Sequence, residues 1–146
     1  DGPLREELQA LVAAKLNGVP NLTHEMLGHI NNPDLLKLYA DSSVDLFLNT
    51  SSKEGVPVSI MEAMVRGVPA IAPDVGAIRE VVLPELLHPA DLTPRDMADR
   101  VLAYHERAKD PAFRQQVREH ALASYNADAN YPAFVRYIGD LAEQDG

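Results

Sequence analysis

The densest set of residues able to do chemistry runs from Ser51 to Met64: Ser-Ser-Lys-Glu-Gly-Val-Pro-Val-Ser-Ile-Met-Glu-Ala-Met. It carries two carboxylates, Glu54 and Glu62, separated by seven residues, with Gly55, Val56 and Pro57 between them. Gly55 has no Cβ, so the backbone there can come close to a ligand. Pro57 suits the first position of a helix, where its missing N–H has no helical partner to lose. The N–H groups of Val58 and Ser59 then stand at the positive end of a helix dipole, which accepts an anion without lysine or arginine. Glu62 lies one turn into that helix among Ile60, Met61, Ala63 and Met64, and a carboxylate with such neighbours must be hydrogen-bonded. A sugar diol would satisfy it, as acidic residues satisfy ribose in dinucleotide folds. A cap on the loop backbone, or water, would serve equally. Glu54 reads as a group facing a ligand or as a solvated loop acid beside Lys53.

A second loop, Pro73-Asp74-Val75-Gly76-Ala77-Ile78-Arg79-Glu80, should emerge beside the first. Gly76 again permits a close backbone approach, and Asp74 and Glu80 are expected to cap the short helix that follows. Gly28 and His29 lie after a short predicted strand at the same edge; a lone histidine there is usually a structural hydrogen-bonder. The other histidines, at 24, 88, 105 and 120, show no metal-ligand spacing. The sequence has no Walker-type loop, no Gly-x-Gly-x-x-Gly and no triad arrangement.

The elements that must hold these loops are α/β in pattern. Residues 26–30, 44–49 and 70–72 read as strands, with 86–87 as a weak last one. Helices are expected over 4–17, from 32 onward, over 58–66 (ended by Gly67), 77–82, 94–107, 111–125 and 131–143. Short apolar strands alternating with helices indicate a parallel sheet covered on both faces. The chain is expected to be one domain, with the sheet region in 1–92 and packed helices in 93–146. Its 146 residues, 46% hydrophobic and 24% charged, have the composition of an ordinary globular protein. A net charge of −9 disfavours nucleic acid and anionic membrane as electrostatic partners. The absence of cysteine excludes disulfides, thiolate metal sites and thiol catalysis. No apolar run approaches the roughly 20 residues that span a bilayer, and no secretory signal opens the chain, so a cytoplasmic location is expected.

The run Asp45-Leu46-Phe47-Leu48-Asn49-Thr50-Ser51, then Glu54 through Met64, then Gly67-Val68-Pro69-Ala70-Ile71-Ala72-Pro73-Asp74-Val75-Gly76, resembles the donor-binding half of the family 4 glycosyltransferases. Several features match in order: the glutamate pair, the Gly-x-Pro between them, the Glu-Ala-Met and the Gly-x-Pro before a strand. The resemblance covers residues 1–82 and, more loosely, the final helices. It implies the C-terminal, Rossmann-like half of a GT-B fold and a retaining hexosyltransferase acting in polysaccharide synthesis. The implied donor is a UDP- or GDP-linked sugar, bound without metal or other cofactor. In the family the counterpart of Glu54 lies against the donor sugar and is the expected catalytic residue. The counterpart of Glu62 holds the ribose hydroxyls. The loop amides of Gly55, Val56, Pro57, Val58 and Ser59 contact sugar and phosphate, with Pro57 contributing only its position. Gly28 and His29 fall near the base, and Gly76 at the donor.

The chain also departs from the family. Ala77 stands where a second glycine is usual, which tightens that loop. The family's phosphate-binding arginine and lysine lie upstream, as do the acceptor-binding domain and two strands expected between 26–30 and 44–49. The sequence is therefore expected to be a truncated piece of a longer protein, inactive alone. A glycan or lipid-linked acceptor, and any association with the inner face of a membrane, would be met through the missing part. Two alternatives share the pattern: a non-catalytic sugar-nucleotide-binding module and, disfavoured by the glutamate spacing, a sugar-nucleotide epimerase.

Overall fold

The computed structural model describes residues 2–41 and 44–144. The chain divides into two compact units, residues 1–37 and 38–146. In the first, helix α1 (Arg5–Leu16) places Glu6 and Glu7 in its first turn and Lys15 in its last, each matched to the helix dipole. Gly18, at φ 82°, follows in the left-handed conformation that ends helices. Residues 26–30 are not a strand. Gly28 adopts φ 69°, a turn conformation outside the β region, so the segment cannot run on as a ladder. Helix α2 (Asn32–Asp41) opens as expected. Asn31 caps it, accepting from the Asp34 N–H at 3.0 Å and donating to the Asp34 carboxylate at 2.7 Å.

The second unit holds a three-stranded parallel sheet in the order β1 (Phe47–Leu48), β2 (Ala70–Pro73), β3 (Leu87–His88). The strands thus lie side by side in chain order, as parallel strands joined by helical crossovers do. Phe47 pairs with Ala70 and Leu48 with Ile71, while Ala72 pairs with Leu87 and Pro73 with His88. Every residue of β2 is buried, as a central strand covered on both faces must be. The strand expected over 44–49 is trimmed to the two residues in register with β2, although the Asn49 N–H still reaches Ile71 O. The weak last strand is shifted by one, with Leu86 closing a 3₁₀ turn (Pro84–Leu86) instead.

Helix α3 (Val58–Met64) ends in a paired cap: the Gly67 N–H donates to Met64 O at 2.8 Å and the Val68 N–H to Ala63 O at 3.1 Å. Gly67 supplies the φ of 74° that this ending requires. Ile60 and Met64 of α3 join Ile71, Ile78 and Val81 of α4 (Ile78–Val81), and Leu86, in one core. Phe113, Val117 and Ala121, four apart on α6 (Pro111–Tyr125), close it from the helical layer. Each fully buried large apolar side chain contributes about 1.5–3 kcal/mol.

Helix α5 (Pro94–His105) starts on a capping box between Thr93 and Asp96. It is tied to the sheet edge by Arg100, which donates to Glu85 O at 2.7 Å and to Leu87 O, and by the Tyr104 hydroxyl, 2.6 Å from Glu85 O. A 3₁₀ turn (Arg107–Lys109) replaces the expected end of that helix. Helix α7 (Ala127–Gln144) begins four residues before its expected start. The Asn126 side chain accepts from the Asp128 N–H at 3.0 Å and so caps the extra turn, leaving Pro132 inside the helix. Among the described residues no helix is long and apolar enough to cross a membrane.

Candidate functional site

Parallel strands deliver their carboxyl ends to one edge, and there the two loops meet. At the end of β1, Asn49 is only 8% exposed, and its N–H donates to Ile71 O at 2.9 Å. Its side chain folds the next loop back on itself. Oδ1 accepts from the Ser51 N–H at 2.9 Å, and Nδ2 makes a long 3.5 Å contact with a carboxylate oxygen of Glu54. Glu54 is half-buried at this point. Asn49 thus orients the carboxylate that the sequence singles out. In the sequence Asn49 reads only as the last residue of the strand expected over 44–49.

The second loop is packed against the first through Gly76. Gly76 has φ 55°, and a Cβ there would overlap the carbonyl oxygen of Glu54 and lie 3.0 Å from its carbonyl carbon. Only glycine permits this approach. The loop is held to β3 by the Asp74 N–H, which donates to His88 O at 2.8 Å. The expected capping by Asp74 and Glu80 is not found: no side chain caps α4. Asp74 instead pairs with Arg79 at 3.0 Å. Gly55 contrasts with Gly76. It is exposed, its φ is not positive, and a Cβ there would meet nothing within 4 Å. The fold itself does not require glycine at 55.

Pro57 is buried at the N-cap of α3, with φ −78° and ψ 102°, one position earlier than its sequence suggests. Its carbonyl accepts from the N–H groups of Ile60 and Met61, at 3.1 and 3.2 Å. Val58 and Ser59, both exposed, are the first helical residues, whose N–H groups have no acceptor within the helix. Val56 is exposed beside them. Glu62 is half-buried on the same helix. Its charge reaches the Tyr39 phenol, whose pKa is raised first by burial and then by the Glu62 carboxylate. Glu54, Gly55, Pro57, Val58, Ser59, Glu62 and Gly76 all belong to the second unit, whereas Gly28 and His29, both exposed, belong to the first.

A cavity of about 350 Å³ at the carboxyl ends of the strands is lined by Thr50, Ser51, Pro73, His88 and Thr93, among others. His88 is 4% exposed. Its Nδ1 lies 2.7 Å from Pro89 O, and a carbonyl can only accept, so Nδ1 carries a proton. Its Nε2 has no partner within the protein. The only signal in the sequence was a histidine at the end of a weak strand. Among the described residues, no three His, Asp or Glu side chains are placed to hold a metal ion.

In comparison with known families, the model described as glycosyl transferases group 1 matches residues 1–107, which include both loops and the helices after them. No curated protein matches the chain.

Proposed function

The chain belongs to the group 1 glycosyl transferases, and from that premise we propose that it is the donor-nucleotide half of a retaining family 4 enzyme of GT-B fold. The donor in this reading is a nucleoside-diphosphate sugar, UDP- or GDP-linked. Its diphosphate meets the N–H groups of Val58 and Ser59, and Glu62 takes the ribose hydroxyls. Gly55 leaves room for the sugar and Gly76 fixes the loop beneath it; for Gly28 and His29 the family resemblance alone suggests a role at the base. Glu54 faces the reacting sugar.

Chemistry follows from these placements. Cleavage of the glycosidic bond to the diphosphate leaves positive charge on the sugar and negative charge on the departing phosphate. Fixed N–H dipoles stabilise the second as it develops, and a carboxylate near the ring stabilises the first. Attack by the acceptor hydroxyl on the face the diphosphate leaves retains the anomeric configuration, the hydroxyl proton passes to the departing phosphate oxygen, and no metal is called for. The acceptor in this reading is a glycan or lipid-linked sugar, and the enzyme is cytoplasmic.

The observation that carries this reading is the contact of Gly76 with the Glu54 backbone. It supports a single preorganised site in which the Glu54 loop, Gly55 and the start of α3 share one edge. Kinetics of Glu54→Gln and Glu62→Gln in the enzyme containing this domain test it. Loss of a group that acts only as charge develops lowers kcat, whereas loss of ribose contacts, unchanged in the transition state, raises KM. Near-normal kcat and KM in both variants would refute the assignment.

A further inference from the structure

At the opposite, amino end of the strands, the acidic domain gathers cations. Gly67 packs so closely on α6 that a Cβ there would lie 3.2 Å from Arg114 O. The approach brings Arg66, the preceding residue, to Arg114 and Arg118, which lie four apart on α6. Together with Lys109 they line a groove of about 790 Å³ whose walls include Tyr39 and Asp45. The same three arginines line an adjoining depression of about 370 Å³.

What sets the groove apart is the lack of neutralisation. The chain has 22 acidic residues against 13 Lys and Arg, so carboxylate partners are plentiful. Arg79, Arg107 and Lys109 use them, at 3.0, 3.2 and 3.2 Å. Arg66, Arg114 and Arg118 form no ion pair among the described residues, although Asp45 lines the same groove. Nη1 of Arg114 donates to Val44 O at 2.9 Å and Ala108 O at 3.2 Å, which fixes the guanidinium while leaving the rest of its fork unspent. Like charges four apart on a helix repel, and a third arginine beside them adds to the cost. An anion seated among them reverses its sign.

We propose that this groove binds a phosphate-bearing ligand, independently of the donor site. Arginine forks match phosphate oxygens two at a time, and Lys109, already paired with Glu106, only lines the wall. The groove is larger than one phosphate group, so the group belongs to a larger molecule, either a free phosphorylated compound or a phospholipid headgroup.

Two probes separate these sources: inorganic pyrophosphate, followed by calorimetry and amide chemical shifts, and cosedimentation with phosphatidylglycerol against phosphatidylcholine vesicles. With the parent chain, pyrophosphate shifts centred on Arg66, Arg114 and Arg118 support a soluble ligand. Sedimentation with phosphatidylglycerol alone, without saturable pyrophosphate binding, supports a headgroup. In either case Arg66→Gln/Arg118→Gln, two exposed positions, weakens binding at least about tenfold, the worth of one charge-assisted hydrogen bond. Arg95→Gln/Arg136→Gln, which makes the same charge change elsewhere, leaves binding unaltered. Equal weakening by both pairs, parent shifts centred elsewhere, or no binding in either arm overturns the proposal.

Discussion

Replacing Gly76 with alanine probes the contact that joins the two loops. The residue sits at φ 55°, where an L side chain costs about 1–2 kcal/mol. The new Cβ would also overlap the Glu54 carbonyl oxygen. Both partners are backbone, so no rotamer change relieves the overlap, and the loops must part. Parting them takes Glu54 away from Asn49 Nδ2, a hydrogen bond worth about 0.5–1.5 kcal/mol. The sum is about 1.5–3.5 kcal/mol, which lowers Tm by about 5–10 °C at roughly 3 °C per kcal/mol for a chain of this size. Thermal unfolding by circular dichroism measures it. Gly55→Ala is the internal control: it introduces a Cβ into open space and should stay within about 0.5 kcal/mol of the parent. If Gly76→Ala unfolds at the same temperature as Gly55→Ala, the close approach of the loops is wrong.

Asn49→Ala should cost about 1–3 kcal/mol, because it strips a buried turn of its acceptor and frees Glu54; denaturant unfolding reads it. Thr93→Ala removes the α5 capping box and should cost about 1 kcal/mol, seen as a lower urea midpoint with an unchanged slope. The Tyr39 phenol is held above its ordinary pKa near 10 by burial and then by Glu62. Its contribution to stability is therefore complete below pH 10 and lost as pH rises through the folded value. Stability of Tyr39→Phe should fall less steeply above pH 10, and Glu62→Gln should bring the phenol partly back toward its ordinary value in an ultraviolet titration.

Where a local rule and a burial pattern agree, the sequence was legible. Helix α6 begins at Pro111 and ends at Tyr125 as read, because a proline start and an apolar face at 113, 117 and 121 point the same way. The wholly apolar β2 could only be an interior strand. The failures are nonlocal or conformational. Residues 26–30 have strand-like composition, but Gly28 turns the backbone to positive φ. Residues 44–49 are strand-like throughout, yet the ladder with β2 reaches only Phe47 and Leu48. The loop carrying Glu54 and Glu62 was legible from its glycine, proline and carboxylate spacing. The proximity of Gly76 to Glu54 was expected only as neighbouring loops, since the overlap depends on one backbone dihedral. The arginine groove was invisible because Arg66 and Arg114 are far apart in sequence and meet only where Gly67 lets α3 close on α6.

An amide-resolved NMR titration of the chain with UDP and with GDP tests the donor-site reading most directly. With contacts from the start of α3 and from Glu62, saturable binding in the millimolar range is expected, roughly 4 kcal/mol. The largest shifts should fall on Gly55, Val56, Val58, Ser59, Glu62 and Gly76. Shifts confined to the arginine groove, or none for either nucleotide, would contradict it.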